Sequence, residues 1–205
     1  VKDVTGGAGT PMWGDILPTS WAYNRSAQVR YQQDLGKSRS LLKDAGWTPG
    51  TDGVLTRAGK RFRADFYVRR DSDIRNAAAI EIAQKVRAVG MELKVVPTDF
   101  STFFDPLKSG QFDVALSGFA TGPDPDNYFI FDSSQVRPER NPTGVKWSGY
   151  LNPDLDSAIA LERATLLADP AKTRAKRRQA FDQVEQILTR DVVTYVLWSD
   201  NTVHG

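Results

Sequence analysis

The sequence contains no cysteine and one histidine, His204, next to the chain end. The missing thiols exclude a disulfide framework, thiolate catalysis and cysteine-based zinc sites. A lone terminal histidine leaves no Ser-His-Asp or Cys-His constellation and no multi-histidine metal site. Long apolar runs are also absent, and none approaches the roughly 20 residues a membrane-spanning helix needs. Neither sign of charge dominates. Against 27 basic residues stand 25 acidic ones, a net charge of +2, so there is no electrostatic case for nucleic acid or an anionic membrane. No N-terminal signal segment is visible, and the chain begins with Val1 rather than Met. The expectation is an excised fragment of a longer protein.

What is present is an ordinary globular composition, 40% hydrophobic and 25% charged over 205 residues. A chain of this size buries roughly 70% of its unfolded surface and needs no metal to fold. Residues 1–33, rich in Gly, Pro and aromatics, are expected to form an extended surface arm. Asp34 then caps a helix to about Ala45, with Leu35, Leu41, Leu42 and Ala45 on one face. Gly46 takes the left-handed closing position and Trp47 folds back. A hairpin turns at Ala58-Gly59.

From Phe62 the pattern reads strand (62–68), helix (72–89, with Ile74, Ala78, Ile82, Val86 and Val89 inward), strand (91–96), short helix (101–109) and strand (112–118). This β-α-β-α-β order predicts an α/β fold: an open parallel sheet with flanking helices and right-handed crossovers. After a long loop, about 132–151, two helices follow over 153–167 and 170–190. Val192 to Trp198 reads as a final strand buried on both faces. The basic run Lys172 to Arg178 lies opposite Phe181, Val184 and Leu188, so it reads as a solvated helix face.

The stretch after the third strand, SGFATGPDPDNYF (Ser117–Phe129), carries the candidate site. Asp-Pro is a helix-entry signal, because the carboxylate accepts from free N–H groups and proline suits the first helical position. Asn152-Pro153 and Asp169-Pro170 repeat the device. Asp124, Asn152 and Asp169 are therefore expected as structural caps, with Asp126 in a first turn that favours an anion. A glycosidase pair needs carboxyls on opposite sides of a sugar, which neighbours in one turn do not supply. A calcium loop needs more oxygen ligands than DPDN offers.

The loop nevertheless leaves the carboxyl end of a strand, where open α/β sheets bind ligands. Phe119, Tyr128, Phe129, Trp147 and Tyr150 crowd it. Core packing and a ligand wall are both open for these aromatics. Arg69, in Arg69-Arg70-Asp71, ends the first strand of the β-α-β-α-β run. It either forks onto a ligand carboxylate or lies in a solvated turn.

The order of segments resembles the peptide/nickel family (family 5) of ABC-transporter extracellular solute-binding proteins. Tyr31-Gln-Gln-Asp34 followed by SLLKDAGW (Ser40–Trp47) is similar to that family's Y-x-x-D…LL-x-x-AGW segment. FSTFFDPLKSGQFDVALSGF (Phe100–Phe119), DPDNYF (Asp124–Phe129) and GYLNPDLDSAI (Gly149–Ile159) follow in family order. The resemblance covers about residues 31–160, and the tail from Asp169 also fits.

The resemblance implies a periplasmic-binding-protein-like (type II) lobe. Residues 1–205 would form a single ligand-binding lobe, the more C-terminal part of a bilobal protein whose other lobe lies outside this chain. It further implies a non-catalytic role, a peptide or other small organic solute, and a membrane permease as partner of the whole protein; no cofactor is expected, and no metal, since the loops offer no histidine. The compartment implied is extracellular or periplasmic, or the cell surface as a lipoprotein. Phe119 matches a cleft aromatic of the dipeptide-binding members, and Arg69 falls near a carboxylate-binding arginine of some of them. Those members hold the peptide amine with an Asp shortly after the aromatic. Thr121-Gly122-Pro123 stands there instead, leaving an oligopeptide held by its backbone, a sugar or another solute. On this reading Phe119, Thr121, Tyr128, Trp147 and Tyr150 line the cleft wall. Two alternatives stand beside it: a ligand-sensing domain of a cytoplasmic transcriptional regulator, and a hydrolase using Asp124 or Asp126.

Overall fold

The computed structural model describes residues 1–120, 122–164 and 170–200. The elements are α1 (Lys2–Thr5), β1 (Gly9–Pro11), α2 (Leu35–Asp44), β2 (Thr48–Pro49), β3 (Leu55–Arg57), β4 (Lys60–Arg61), β5 (Arg63–Arg69), α3 (Asp73–Arg87), β6 (Glu92–Thr98), α4 (Phe100–Lys108), β7 (Val114–Leu116), α5 (Tyr128–Phe131), α6 (Pro153–Ala164), α7 (Pro170–Asp191) and β8 (Trp198–Asp200). They fall into two compact units. One comprises Val1–Arg30, Lys108–Gly110 and Phe119–Gly205, the other Tyr31–Leu107 and Gln111–Gly118.

The unit beginning at Tyr31 is the expected β-α-β-α-β body. Its sheet is parallel in the order β6-β5-β7, with Phe66 opposite both Val95 and Val114. Alternation along β5 sends Ala64, Phe66 and Val68 inward. Phe66, Val68 and Ala79 form the core, and Ile82, Leu93 and Leu116 pack on it. Ser72 caps α3 by accepting from the Arg75 N–H. The hairpin β3-β4 turns on Ala58 and Gly59, both at positive φ.

Asp34 caps α2 through the Lys37 N–H. At the other end Trp47 N donates to Leu42 O and Gly46 N to Lys43 O, with Gly46 at φ +85°. That is a Schellman motif, which uses the left-handed freedom of glycine.

Two expected faces differ from the observed ones. No residue of α2 is buried, and Leu35 and Leu41 are exposed. In α3 the buried pair is Ala78 and Ala79, while Ile74 is exposed. Periodicity identifies an apolar stripe, but only a neighbouring element can cover it.

In the other unit α6 and α7 pack through Leu155, Ala158, Ile159, Val184, Ile187 and Leu188. The opening residues are not the expected extended surface arm. Ile16 is 1% exposed and packs with Ala22 against Phe181 of α7. Trp21 meets the same ring edge-on at 5.6 Å. Backbone donors there find partners on α7 too: Asp15 N donates to Glu185 Oε1 at 3.0 Å and Val29 N to Thr189 Oγ1 at 2.9 Å. An irregular segment can enter a core when side chains satisfy its backbone.

The final strand is likewise shorter than expected. Only Trp198–Asp200 pairs, antiparallel to β1, while residues 192–197 are irregular and Tyr195 is 60% exposed. An apolar run is buried on both faces only inside a sheet, and β8 has β1 as its single described neighbour.

Candidate functional site

The candidate site lies on residues 119–163 of the unit containing α6 and α7. Phe119 is 50% exposed, and its ring stacks on Trp147 at 6.4 Å between centroids and 27° between planes. Trp147 is carried by a narrow backbone ladder. Val136 and Lys146 form a parallel bridge, with Arg137 N donating to Lys146 O at 2.9 Å and Lys146 N to Gln135 O at 3.2 Å.

Lys146 itself is 1% exposed. Its Nζ donates to the Phe131 carbonyl in a short bond and sits 5.5 Å from the centroid of the Tyr150 ring. Burial pushes the ammonium pKa down, and the charges of Asp156 and Asp132 oppose that shift. Lys146 thereby ties the strand bearing Trp147 to the end of α5.

The start of α5 is held from α6 and α7. Arg177 grips Asp124 with two parallel bonds, Nη1 to Oδ2 and Nη2 to Oδ1, each 2.8 Å. Its Nε donates to the Glu162 carbonyl at 3.0 Å. The guanidinium lies 5.3 Å from the centroids of both Trp21 and Phe181. This corrects two expectations. Asp124 is an ion-pair partner rather than a helix cap, and Arg177 belongs to the interior rather than to the solvated basic face.

The turn before α5 is made by Asp126, whose Oδ1 accepts from Tyr128 N at 2.9 Å. Its Oδ2 lies 3.4 Å from Arg163 Nε. The Arg163 guanidinium sits 4.0 Å from the Tyr128 ring centroid and 5.9 Å from that of Phe129. Asn127 is buried, with its N–H donating to Glu162 Oε1 at 2.8 Å and its Nδ2 to Oε2 at 3.4 Å.

We predict that Arg177→Met, which keeps the apolar stem and removes the three donors, costs about 1–2 kcal/mol. Asp124 is partly solvated, which holds the figure down. Urea denaturation measures the change, and a shift under about 0.3 kcal/mol would show that the clasp is idle.

The remaining candidates divide. Asn152 caps α6 as expected, its Oδ1 accepting from Asp154 N at 2.9 Å and Leu155 N at 3.3 Å. Tyr150 donates to Asp191 at 2.6 Å, accepts from Asn152 at 2.6 Å and packs on the α6–α7 core. Tyr128 packs there too and accepts from Ser134 Oγ at 3.3 Å. Phe119 and Trp147 are brought into ring contact, and so are Tyr128 and Phe129, edge-on at 5.2 Å. Arg69 belongs to the other unit, where it forks onto Asp71 and lies 4.6 Å from the Phe100 ring centroid. Thr121 and Asp169 lie outside the described residues.

Three interior groups escape a reading by composition: Lys146, Glu162 and Arg177. A signal existed for two of them. Arg177 shares the stripe of Phe181, Val184 and Leu188, at spacings of four, seven and eleven. Glu162 continues Leu155 and Ile159 in the same way. A charge on an apolar stripe is a buried charge in need of a partner. Lys146 sits in an irregular loop and carries no such signal. Among the described residues no cluster of three or more His, Asp or Glu side chains could hold a metal. None of the described helices is long and apolar enough to cross a membrane.

The sequence pattern described as bacterial extracellular solute-binding proteins, family 5 Middle, matches residues 1–137. The oligopeptide-binding protein AppA of Bacillus subtilis (strain 168) is 27% identical over 192 residues, which is 91% of this chain and 33% of that protein. Protein XP55 of Streptomyces lividans is 26% identical over 193 residues, 93% of this chain and again 33% of the relative. The chain therefore spans about a third of the length of these relatives.

Among solved structures, AppA in complex with a nonapeptide superposes with a TM-score of 0.84 at 24% identity, covering 97% of this chain and 38% of that one. NikZ from Campylobacter jejuni in complex with Ni(L-His) gives 0.80 at 22% identity, covering 97% and 39%. A mannohexaose-bound periplasmic oligopeptide-binding protein from Thermotoga maritima gives 0.83 at 20% identity, covering 98% and 39%. These likenesses establish the fold.

Proposed function

This chain belongs to the bacterial extracellular solute-binding proteins of family 5, and from that premise we propose that it supplies part of the solute-binding wall of a transport receptor that acts without catalysis. The carrying observation is the Phe119–Trp147 stack. A large aromatic face stands half exposed, and a buried lysine and a backbone ladder hold its partner ring in place. Such a face suits the flat or apolar portion of an organic solute, and rigid support lowers the ordering cost of binding. Thr121, two residues beyond Phe119, is assigned to the same wall. Tyr128 and Tyr150 support it through the core. Arg69 has no role in this wall.

In this reading the whole protein works outside the cytoplasmic membrane and delivers its solute to an ABC-transporter permease. The relatives' solutes define the test panel: a nonapeptide, mannohexaose and a nickel–histidine chelate. Melting temperature is measured against each, with di- and tripeptides added. A rise of several degrees with one class supports the proposal, since a ligand that binds only the folded state stabilises it by mass action. No rise with any of them, at millimolar concentration, counts against it.

A further inference from the structure

The turn between β5 and α3 is fixed from within. Asn76 Nδ2 donates to the carbonyls of Arg69, Arg70 and Ser72 at 3.0, 3.2 and 2.7 Å. Arginines 69, 70 and 75 stand at this corner, and the first two are committed. Arg69 forks onto Asp71, and Arg70 pairs with Asp99 at 3.2 Å. Arg75 is half-buried in the first turn of α3, where Ser72 Oγ accepts from its backbone N–H at 3.4 Å. Among the described residues its guanidinium makes no hydrogen bond and no ion-pair contact. Asp71 is held below the usual carboxylate range first by hydrogen bonding from Arg69, and the Arg75 charge adds less.

Gly118 shows where this guanidinium lies. A Cβ built at Gly118 would stand 3.0 Å from Arg75 Nη2, 3.7 Å from Cζ and 3.9 Å from Nε. Gly118 does not take a positive φ, so its backbone conformation does not call for glycine. The missing side chain instead leaves room for Arg75. Side chains of a helix lean toward its N-terminus. This one reaches the residue that follows the carboxyl end of β7, the strand beside β5 in the parallel sheet. Open parallel sheets bind ligands at that end.

The placement does not serve folding. A cation in the first turn works against the helix macrodipole, and the side-chain donors are unspent. A guanidinium packed in place, with its donors open and the positive end of a helix behind it, suits a planar anion.

We propose that Arg75 is a carboxylate-binding residue of the unit beginning at Tyr31, its guanidinium fork taking both oxygens of a solute carboxylate beside Gly118. The clamped turn and the packing against Gly118 limit the ordering cost. Within the panel above, this favours a peptide with a free C-terminus over mannohexaose. That the carboxylate is borne by a transported solute rests on the binding role proposed above; that Arg75 takes a carboxylate does not.

The test is a titration of the full chain with sodium acetate at pH 6.5, with sodium chloride holding the ionic strength constant. Proton–nitrogen NMR spectra follow the Arg75 Nε–H and the amides of residues 72–76 and Gly118. Loss of the side-chain resonance in Arg75→Gln assigns it. We expect a saturable shift with half-effect at about 1–10 mM, absent with acetamide and in Arg75→Gln, and at least about fivefold weaker in Gly118→Ala, whose methyl displaces the fork. Should Gly118→Ala not fold, the Arg75→Gln comparison decides alone. The exposed Arg25 is the reference. An equal, unsaturated drift at Arg25 and Arg75 means an adventitious ion only and overturns the proposal. Arg75→Gln should also leave the melting temperature within about 1 °C of the unaltered chain or raise it. A fall of several degrees makes Arg75 a structural residue and likewise overturns the proposal. No solute and no residue of the aromatic stack enters these measurements, so a failed binding wall and a failed carboxylate position are told apart.

Discussion

Gly144→Ala should lower the melting temperature of the unit that carries the aromatic stack by about 6–12 °C. A Cβ built at Gly144 would stand 2.2 Å from the Gln135 carbonyl oxygen and 2.9 Å from its carbon. Both are backbone atoms, so no flexible side chain can swing away. The same oxygen accepts from Lys146 N, and Gly144 N donates to Asn141 O at 3.0 Å, so the two strands are tied on either side of the clash. Relief requires the ladder to part, and overpacking against backbone costs about 3 kcal/mol. The ladder carries Lys146 and Trp147, so the near-ultraviolet circular dichroism of the stacked rings should weaken as well. Calorimetry checks the first effect. A loss under about 1 °C would mean that the approach of Gly144 to Gln135 is not a constraint.

The second large effect falls on binding. Phe119→Ala should weaken the affinity for the physiological solute about 10- to 100-fold while changing stability by less than about 1 kcal/mol. The ring is half exposed in the free protein, so little folding energy depends on it. A solute covering that face buries most of what remains, which is worth about 1.5–3 kcal/mol for an aromatic side chain. Trp147→Ala should weaken binding by a similar factor and also cost stability, because Trp147 is the more enclosed partner of the stack. The two losses should not add: without Trp147 the Phe119 ring has lost its support, so the double variant falls short of the summed free energies. Isothermal titration with the solute identified by the panel reads all three variants. Unchanged affinity in Phe119→Ala would remove this wall from the site.

Much of the unit beginning at Tyr31 was legible because its residues obey local rules. Asp34 and Ser72, like Asn152 in the other unit, sit at helix starts where a side-chain acceptor serves the free N–H groups. Gly46 and Gly59 take conformations that few other residues adopt. The alternation of β5 shows directly which side chains face the core.

The misread parts depend on distant partners. Nothing local says that Ile16 and Ala22 will meet Phe181, some 160 residues on, so an irregular segment looks like an arm. Asp124 precedes a proline and resembles a cap, yet Arg177, 53 residues away, claims it with a bidentate pair. The run from Val192 is apolar enough for a buried strand, but a strand needs edges to pair with, and the pairing with β1 begins at Trp198. Of the expected aromatics, Phe119 and Trp147 meet as a stacked pair, while Tyr128 and Tyr150 pack on the α6–α7 core. Of the interior charged groups, Lys146 carries no local signal, and Glu162 and Arg177 are marked only by their place on an apolar stripe, which composition alone misses.

Native mass spectrometry of the protein purified from its own host, without added solute, tests the central claim most directly. A small molecule retained in one-to-one stoichiometry is expected, absent from the Phe119→Ala variant prepared in the same way. A bare polypeptide mass in the unaltered protein, or a solute retained equally by Phe119→Ala, would contradict it.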